Sequence, residues 1–80
     1  MKYHIQVEAY YLDTVRGVMV PSEPGDPQER FLIIPIGTHP DGTEEQIDDP
    51  QWPDSHDEAI AEADRMAVAW NATFIHYLNC

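Results

Sequence analysis

Residues 3–12 alternate between apolar and polar positions, the pattern of a half-buried strand. Tyr3, Ile5, Val7, Ala9 and Tyr11 fall on one face, and His4, Gln6, Glu8, Tyr10 and Leu12 on the other. The first face predicts the core contact. The second, polar at its start and apolar at its end, predicts a sheet with one largely solvated side. Asp13 to Gly17 reads as a turn, followed by a returning strand at Val18, Met19 and Val20. Pro21 stops that strand or confines it to an edge, because proline has no N–H to donate. A proline-rich loop over 21–29 leads into Phe31-Leu32-Ile33-Ile34-Pro35-Ile36, the most apolar run in the chain and a further strand. Within it Pro35 marks either an edge or a bulge. The polar stretch 37–54 contains the turn signal Pro40-Asp41-Gly42, and its length predicts a functional or mobile loop.

The period then changes. Ala59, Ile60, Ala63, Met66, Ala67 and Trp70 recur at helical spacing and form one apolar stripe, predicting a helix over 57–70 that lies against the sheet. Ser55 with Glu58 three residues later fits a capping box, and Asn71, which tolerates the left-handed conformation, fits the stop. Residues 73–78 predict a last strand with Phe74, His76 and Leu78 on one side and Thr73, Ile75 and Tyr77 on the other. The fold expected is α+β: a small, mostly antiparallel sheet of three to four strands with one helix on one face, in the order β-β-β-α-β. Residues 1–80 make a single domain with an acidic loop at 37–54. The pattern leaves the strand order open.

Charge alters this picture more than composition does. Fifteen Asp and Glu face four bases, Lys2, Arg16, Arg30 and Arg65, for a net charge of −11. Such a chain repels nucleic acid and anionic membranes and attracts basic surfaces. Direct DNA or RNA binding needs an electropositive footprint that this sequence lacks. The opening residues do not read as a signal peptide, and no stretch reaches membrane-spanning length. The lone cysteine, Cys80, fits a reducing compartment, so a cytoplasmic location is expected, with the sequon at Asn71 unglycosylated.

Ten of the acids fall between Asp41 and Asp64 with no base among them. One reading is a solvated face that maintains solubility, and another is a divalent cation site. A docking surface for a basic groove fits better, because like charges at this density destabilise the fold and Trp52 stands among them as an apolar anchor. The candidate contact residues are Asp41, Glu44, Glu45, Asp48, Asp49, Trp52, Asp54, Asp57, Glu58 and Glu62. The run 41–49 lacks the acids, glycine and terminal Glu of a calcium-binding helix–loop–helix loop. His4, His39, His56 and His76 are too scattered for metal-ligand spacing. No nucleophile elbow, phosphate-cradling glycine loop or thiol pair occurs. The expectation is a non-enzymatic protein without cofactor or metal. Its expected partner is a basic protein or complex, with a homodimer left open because sheet edges need protection.

Two resemblances follow. MKYHIQVEA at the start, Val20-Pro21 closing the returning strand and the helix start Ser55-His56-Asp57-Glu58-Ala59 resemble small antitoxins with a partial ribonuclease-H-like fold. That resemblance implies neutralisation of a basic ribonuclease toxin, although residues 31–54 interrupt the usual spacing and no DNA-binding segment follows. The size, charge and single unadorned domain resemble phage-encoded inhibitors of bacterial defence, the anti-CRISPR proteins, several of which act as acidic mimics of nucleic acid. This second likeness is one of type. It implies occupation of a basic nucleic-acid site in the bacterial host cell. An accessory domain that binds a metal or substrate for an enzyme is the remaining alternative.

Overall fold

The computed structural model of the chain describes residues 1–79. Cys80, and with it the expectation drawn from that thiol, lies outside the described residues. The elements run β1 (Lys2–Asp13), β2 (Val18–Pro21), β3 (Arg30–Thr38), β4 (Glu44–Gln46), α1 (His56–Trp70) and β5 (Ile75–Tyr77). The chain is an α+β protein with one helix on a mostly antiparallel sheet, as the periodicities predict. It gains one strand over the expected order, because β4 forms inside the stretch read as a loop. His39 and Thr43 close a hairpin there: the His39 N–H donates to the Thr43 carbonyl at 2.8 Å, around Gly42 at φ 91°.

β1 is the axis of the sheet. One edge pairs antiparallel with β3 from Lys2↔Thr38 to Tyr10↔Arg30. The other edge is shared. β5 runs parallel to it at Ile5 to Val7, and β2 runs antiparallel to it at Tyr10 to Asp13. The gap between these two partners is closed by a side chain. The Asn79 carboxamide accepts from the Ala9 N–H and donates to the Ala9 carbonyl (2.9 Å) and the Ser22 carbonyl (2.8 Å). It satisfies the Ala9 N–H, which neither short strand reaches, and shares the Ala9 carbonyl with the Ser22 N–H at 2.9 Å.

Pro35 answers the question of edge or bulge. Ile33 exchanges both backbone bonds with Gln51, and the Pro35 carbonyl, two residues on and facing the same way, accepts from the Ile47 N–H at 3.1 Å. The donor that Pro35 lacks would point to this same side. Opposite it the chain leaves the ladder over 48–50, then rejoins at the Ile33↔Gln51 bridge. The proline sits inside the sheet, fully buried, and the irregularity falls on its neighbour.

The core lies between the odd-numbered face of β1 and α1. Ile5, Val7, Ala9, Phe31 and Ile33 meet Ala59 and Ala63, with Met66, Ala67, Trp70, Ala72 and Ile75 around them. Alanines at the centre of the helix contact let the helix axis approach the sheet closely. Phe31 is the largest fully buried side chain. Trp70 is half-buried at the end of the stripe and packs on Tyr3 with ring centroids 5.7 Å apart. Ile60, counted in the stripe, lies at its margin and is 37% exposed. The helix ends follow the sequence: Ser55 accepts from the Glu58 N–H, and Asn71 takes φ 52°. The Asn71 and Ala72 N–H groups then return to the Val68 and Ala67 carbonyls, a Schellman closure that turns the chain into β5.

Two stability measurements test this account. Ser55→Ala should lower the unfolding free energy by about 1 kcal/mol in urea titration. Asn79→Ala should cost about 1–3 kcal/mol by stranding the Ala9 N–H and the Ser22 carbonyl, while the Ala9 carbonyl keeps the Ser22 N–H. Asn79→Asp should cost more still, since it sets a charged oxygen against the Ala9 and Ser22 carbonyls. An Asn79→Ala midpoint equal to wild type would show that water replaces the carboxamide.

Candidate functional site

The candidate residues are strung along the outer edge of β3. Asp41 belongs to the hairpin turn, where its carboxylate accepts from the Thr43 N–H (3.0 Å) and Oγ1 (2.7 Å). Those bonds, the backbone one first, hold its carboxyl below the usual range. Glu44 and Glu45, adjacent on β4, point to opposite faces. The Glu44 carboxylate lies 3.5 Å from His4 Nε2 and that of Glu45 lies 3.1 Å from His39 Nε2. Asp48 and Asp49 occupy the segment displaced by Pro35, with the Asp48 carboxylate accepting from the Asp49 N–H. Trp52 and Asp54 continue along β3. Asp54 pairs with Arg30, and Trp52, 52% exposed, tilts against Tyr10 with centroids 5.8 Å apart. Asp57 and Glu58 lie in the first turn of α1, where carboxylates oppose the positive end of the helix dipole. Glu58 also accepts from the Asp54 N–H at 3.4 Å. Glu62 pairs with Arg65 one turn further on.

These residues form a strip, not a cluster. Glu44 stands beside Thr38 and Asp54 beside Arg30, the two ends of β3, so the acids extend over about 26 Å at the rise of a β-strand. Three of the four bases are engaged locally, Arg16 with Asp13, Arg30 with Asp54 and Arg65 with Glu62. The remaining carboxylates of the strip face solvent with no Lys or Arg against them among the described residues. At its helix end Trp52, Glu58, Glu62 and Arg65 line a shallow groove of about 420 Å³. Among the described residues no three His, Cys, Asp or Glu side chains converge on a point that would hold a metal ion. No described helix is long and apolar enough to cross a membrane.

A second surface, which sequence reasoning named only as the solvated side, is the even-numbered face of the sheet. His4, Gln6, Glu8 and Tyr10 project there from β1, with Leu32, Ile34 and Ile36 beside them on β3. Phe74 stacks on His4 with rings 4.7 Å apart and nearly parallel, which buries an imidazole on a face that no helix covers. Glu8 lies at the middle of this face. Its hydrogen bond to the Tyr10 phenol, then burial, push Tyr10 up to about 12. The signal for this face was in the period of two, which sets Phe74, His76 and Leu78 together. Their placement beside His4, Gln6 and Glu8 needed the parallel pairing of β5.

The fold and the strip define a one-helix α+β sheet protein with an acidic edge. No protein-family model, curated protein or solved structure matches the chain. Its chemistry is carried by the arrangement of its own side chains.

The Tyr10 phenol gives a spectroscopic check. Because its folded value lies above the free value of 10.0, its contribution to stability is intact below pH 10 and is lost as pH rises through about 12. Ultraviolet titration should show late-ionising tyrosine, to which Tyr11, also pushed up by burial, contributes beside Tyr10, and Glu8→Gln should move the Tyr10 phase toward lower pH. A Tyr10 phase unmoved by Glu8→Gln would remove the hydrogen bond as its cause.

Proposed function

We propose that this chain is a non-enzymatic binding protein whose acidic strip occupies the nucleic-acid site of a basic partner, a protein or complex that handles DNA or RNA in a bacterial cytoplasm. The observation that carries this reading is the line of acids along the β3 edge. Carboxylates follow one another along about 26 Å of it; Asp54 and Glu62 pair with arginines, and those from Asp41 to Asp49 have no Lys or Arg against them among the described residues. A groove built for a phosphate backbone presents cations at intervals along a line, and a linear run of carboxylates is complementary to it. Like charges held on a core this small oppose folding, and a basic partner relieves that repulsion on binding. Trp52, half-exposed within the strip, adds an apolar contact of the kind that concentrates binding energy. The uncovered apolar face favours a second reading, an antitoxin-like cap on a small basic ribonuclease, in which the acids steer and the sheet makes the contact.

Capture from a bacterial lysate, eluted with salt, tests both. A nucleic-acid-handling complex displaced by added DNA or RNA supports the mimic, and a single small ribonuclease supports the cap. With the captured partner, changing Glu44, Glu45, Asp48 and Asp49 to Lys should weaken binding by about tenfold or more while circular dichroism stays unchanged, and wild-type affinity should fall with added salt. Affinity indifferent to both would overturn the acidic docking surface.

A further inference from the structure

The even-numbered face of the sheet is left bare by the only helix among the described residues, which packs on the opposite side. At its middle level Leu78, Glu8 and Leu32 stand side by side across β5, β1 and β3, and Trp52 follows at the edge. Phe74 is 55% exposed and Leu78 40%, although both lie on a sheet face where burial would be favourable. The charge at the centre of this apolar surface is a carboxylate, Glu8, paired across the sheet with Leu32. Arg30, at one corner, is already matched by Asp54.

We infer that this face seats a basic amphipathic segment of the partner, its apolar side chains on Leu32, Trp52, Phe74 and Leu78 and a Lys or Arg on Glu8. Charge chooses the occupant. A wholly apolar segment would leave the Glu8 carboxylate desolvated without a counter-charge, which is costly. A second copy docked about a two-fold axis would bring Glu8 toward Glu8 and add a net charge of −11 to another of −11. Nucleic acid and anionic lipid are repelled by the same field. A cationic segment with an apolar stripe satisfies the carboxylate and covers the exposed side chains together. The inference rests on the binding reading above and adds a second contact surface to it, at the back of the sheet and continuous with the acidic strip through Trp52.

Two synthetic probes separate the two surfaces: an amphipathic helix built from Leu and Lys, and an oligolysine of equal charge without apolar residues. Isothermal titration should show the amphipathic helix binding the wild-type chain more tightly than oligolysine by about tenfold. Phe74→Ser with Leu78→Ser should remove that advantage and leave oligolysine binding unchanged, and Glu8→Gln should reduce it. Both serines replace exposed side chains, and the Glu8→Gln variant, which keeps shape, serves if the double variant loses its circular dichroism signal. An amphipathic probe that binds the double variant or, should that variant not fold, Glu8→Gln as it binds wild type overturns this inference and leaves the acidic strip standing. An amphipathic helix that binds wild type no more tightly than oligolysine likewise overturns this inference, and failure of both probes to bind wild type overturns the binding reading itself. A wild-type dimer in sedimentation equilibrium that dissociates in the double variant would give the face to a second copy and overturn the basic partner.

Discussion

The sheet of this protein is organised around the backbone of β1. Its twelve residues have two edges of hydrogen-bonding groups to satisfy, and three other strands are arranged around that requirement. β3 serves one edge along nearly its whole length. β5 and β2 serve the other end to end, one parallel and one antiparallel. Strands of opposite direction cannot merge into one ladder, so a break at Ala9 is unavoidable. Asn79 fills it because a carboxamide presents a donor and an acceptor in the geometry of a peptide group. The final turn of the chain is thereby fastened to the middle of its first strand.

That arrangement dictates how the helix packs. β5 must run parallel to β1, so the chain, which residues 44–54 have carried back along β3 to Arg30 beside the far end of β1, has to cross to the start of β1 before entering it, and α1 makes this crossing. Alanines at its contact line keep the crossover close to Ile5, Val7 and Ala9. The left-handed turn at Asn71 delivers the chain to Ile75 within a few residues. One helix can cover only one face, so an uncovered face on the opposite side follows from the topology.

Electrostatics are divided between structure and surface in a similar way. The arginines are spent on local pairs, each at an exposed position where such pairs contribute little to stability. Their effect is to leave the rest of the acids uncompensated. β4 carries two of them on a three-residue edge strand, where charge and shortness also discourage pairing with a neighbouring sheet. The same carboxylates that protect this edge form one end of the strip proposed to meet a basic groove.

The local elements were legible from residue order. The period of two set which side of β1 is buried, and the helical stripe with Ser55 and Asn71 set the limits of α1, because these depend on side-chain direction and on backbone groups a few residues apart. Pro35 advertised an irregularity without saying where it would fall. Its missing donor is felt by whichever chain lies alongside, and that neighbour, 47–51, was chosen by the hairpin at Pro40. The polar composition of Glu44–Gln46 concealed a strand, since an exposed edge needs no apolar residues. The acids were visible as a run in the sequence, but their order along a strand edge, and the loss of Asp54 and Glu62 to arginine partners, came from the packing. Glu8 looked like one polar position in an alternating strand. Only the return of β5, with no second helix among the described residues, placed it at the centre of an uncovered face, because contacts between residues seventy apart, as between Ala9 and Asn79, are decided by how the whole chain closes and not by any local pattern.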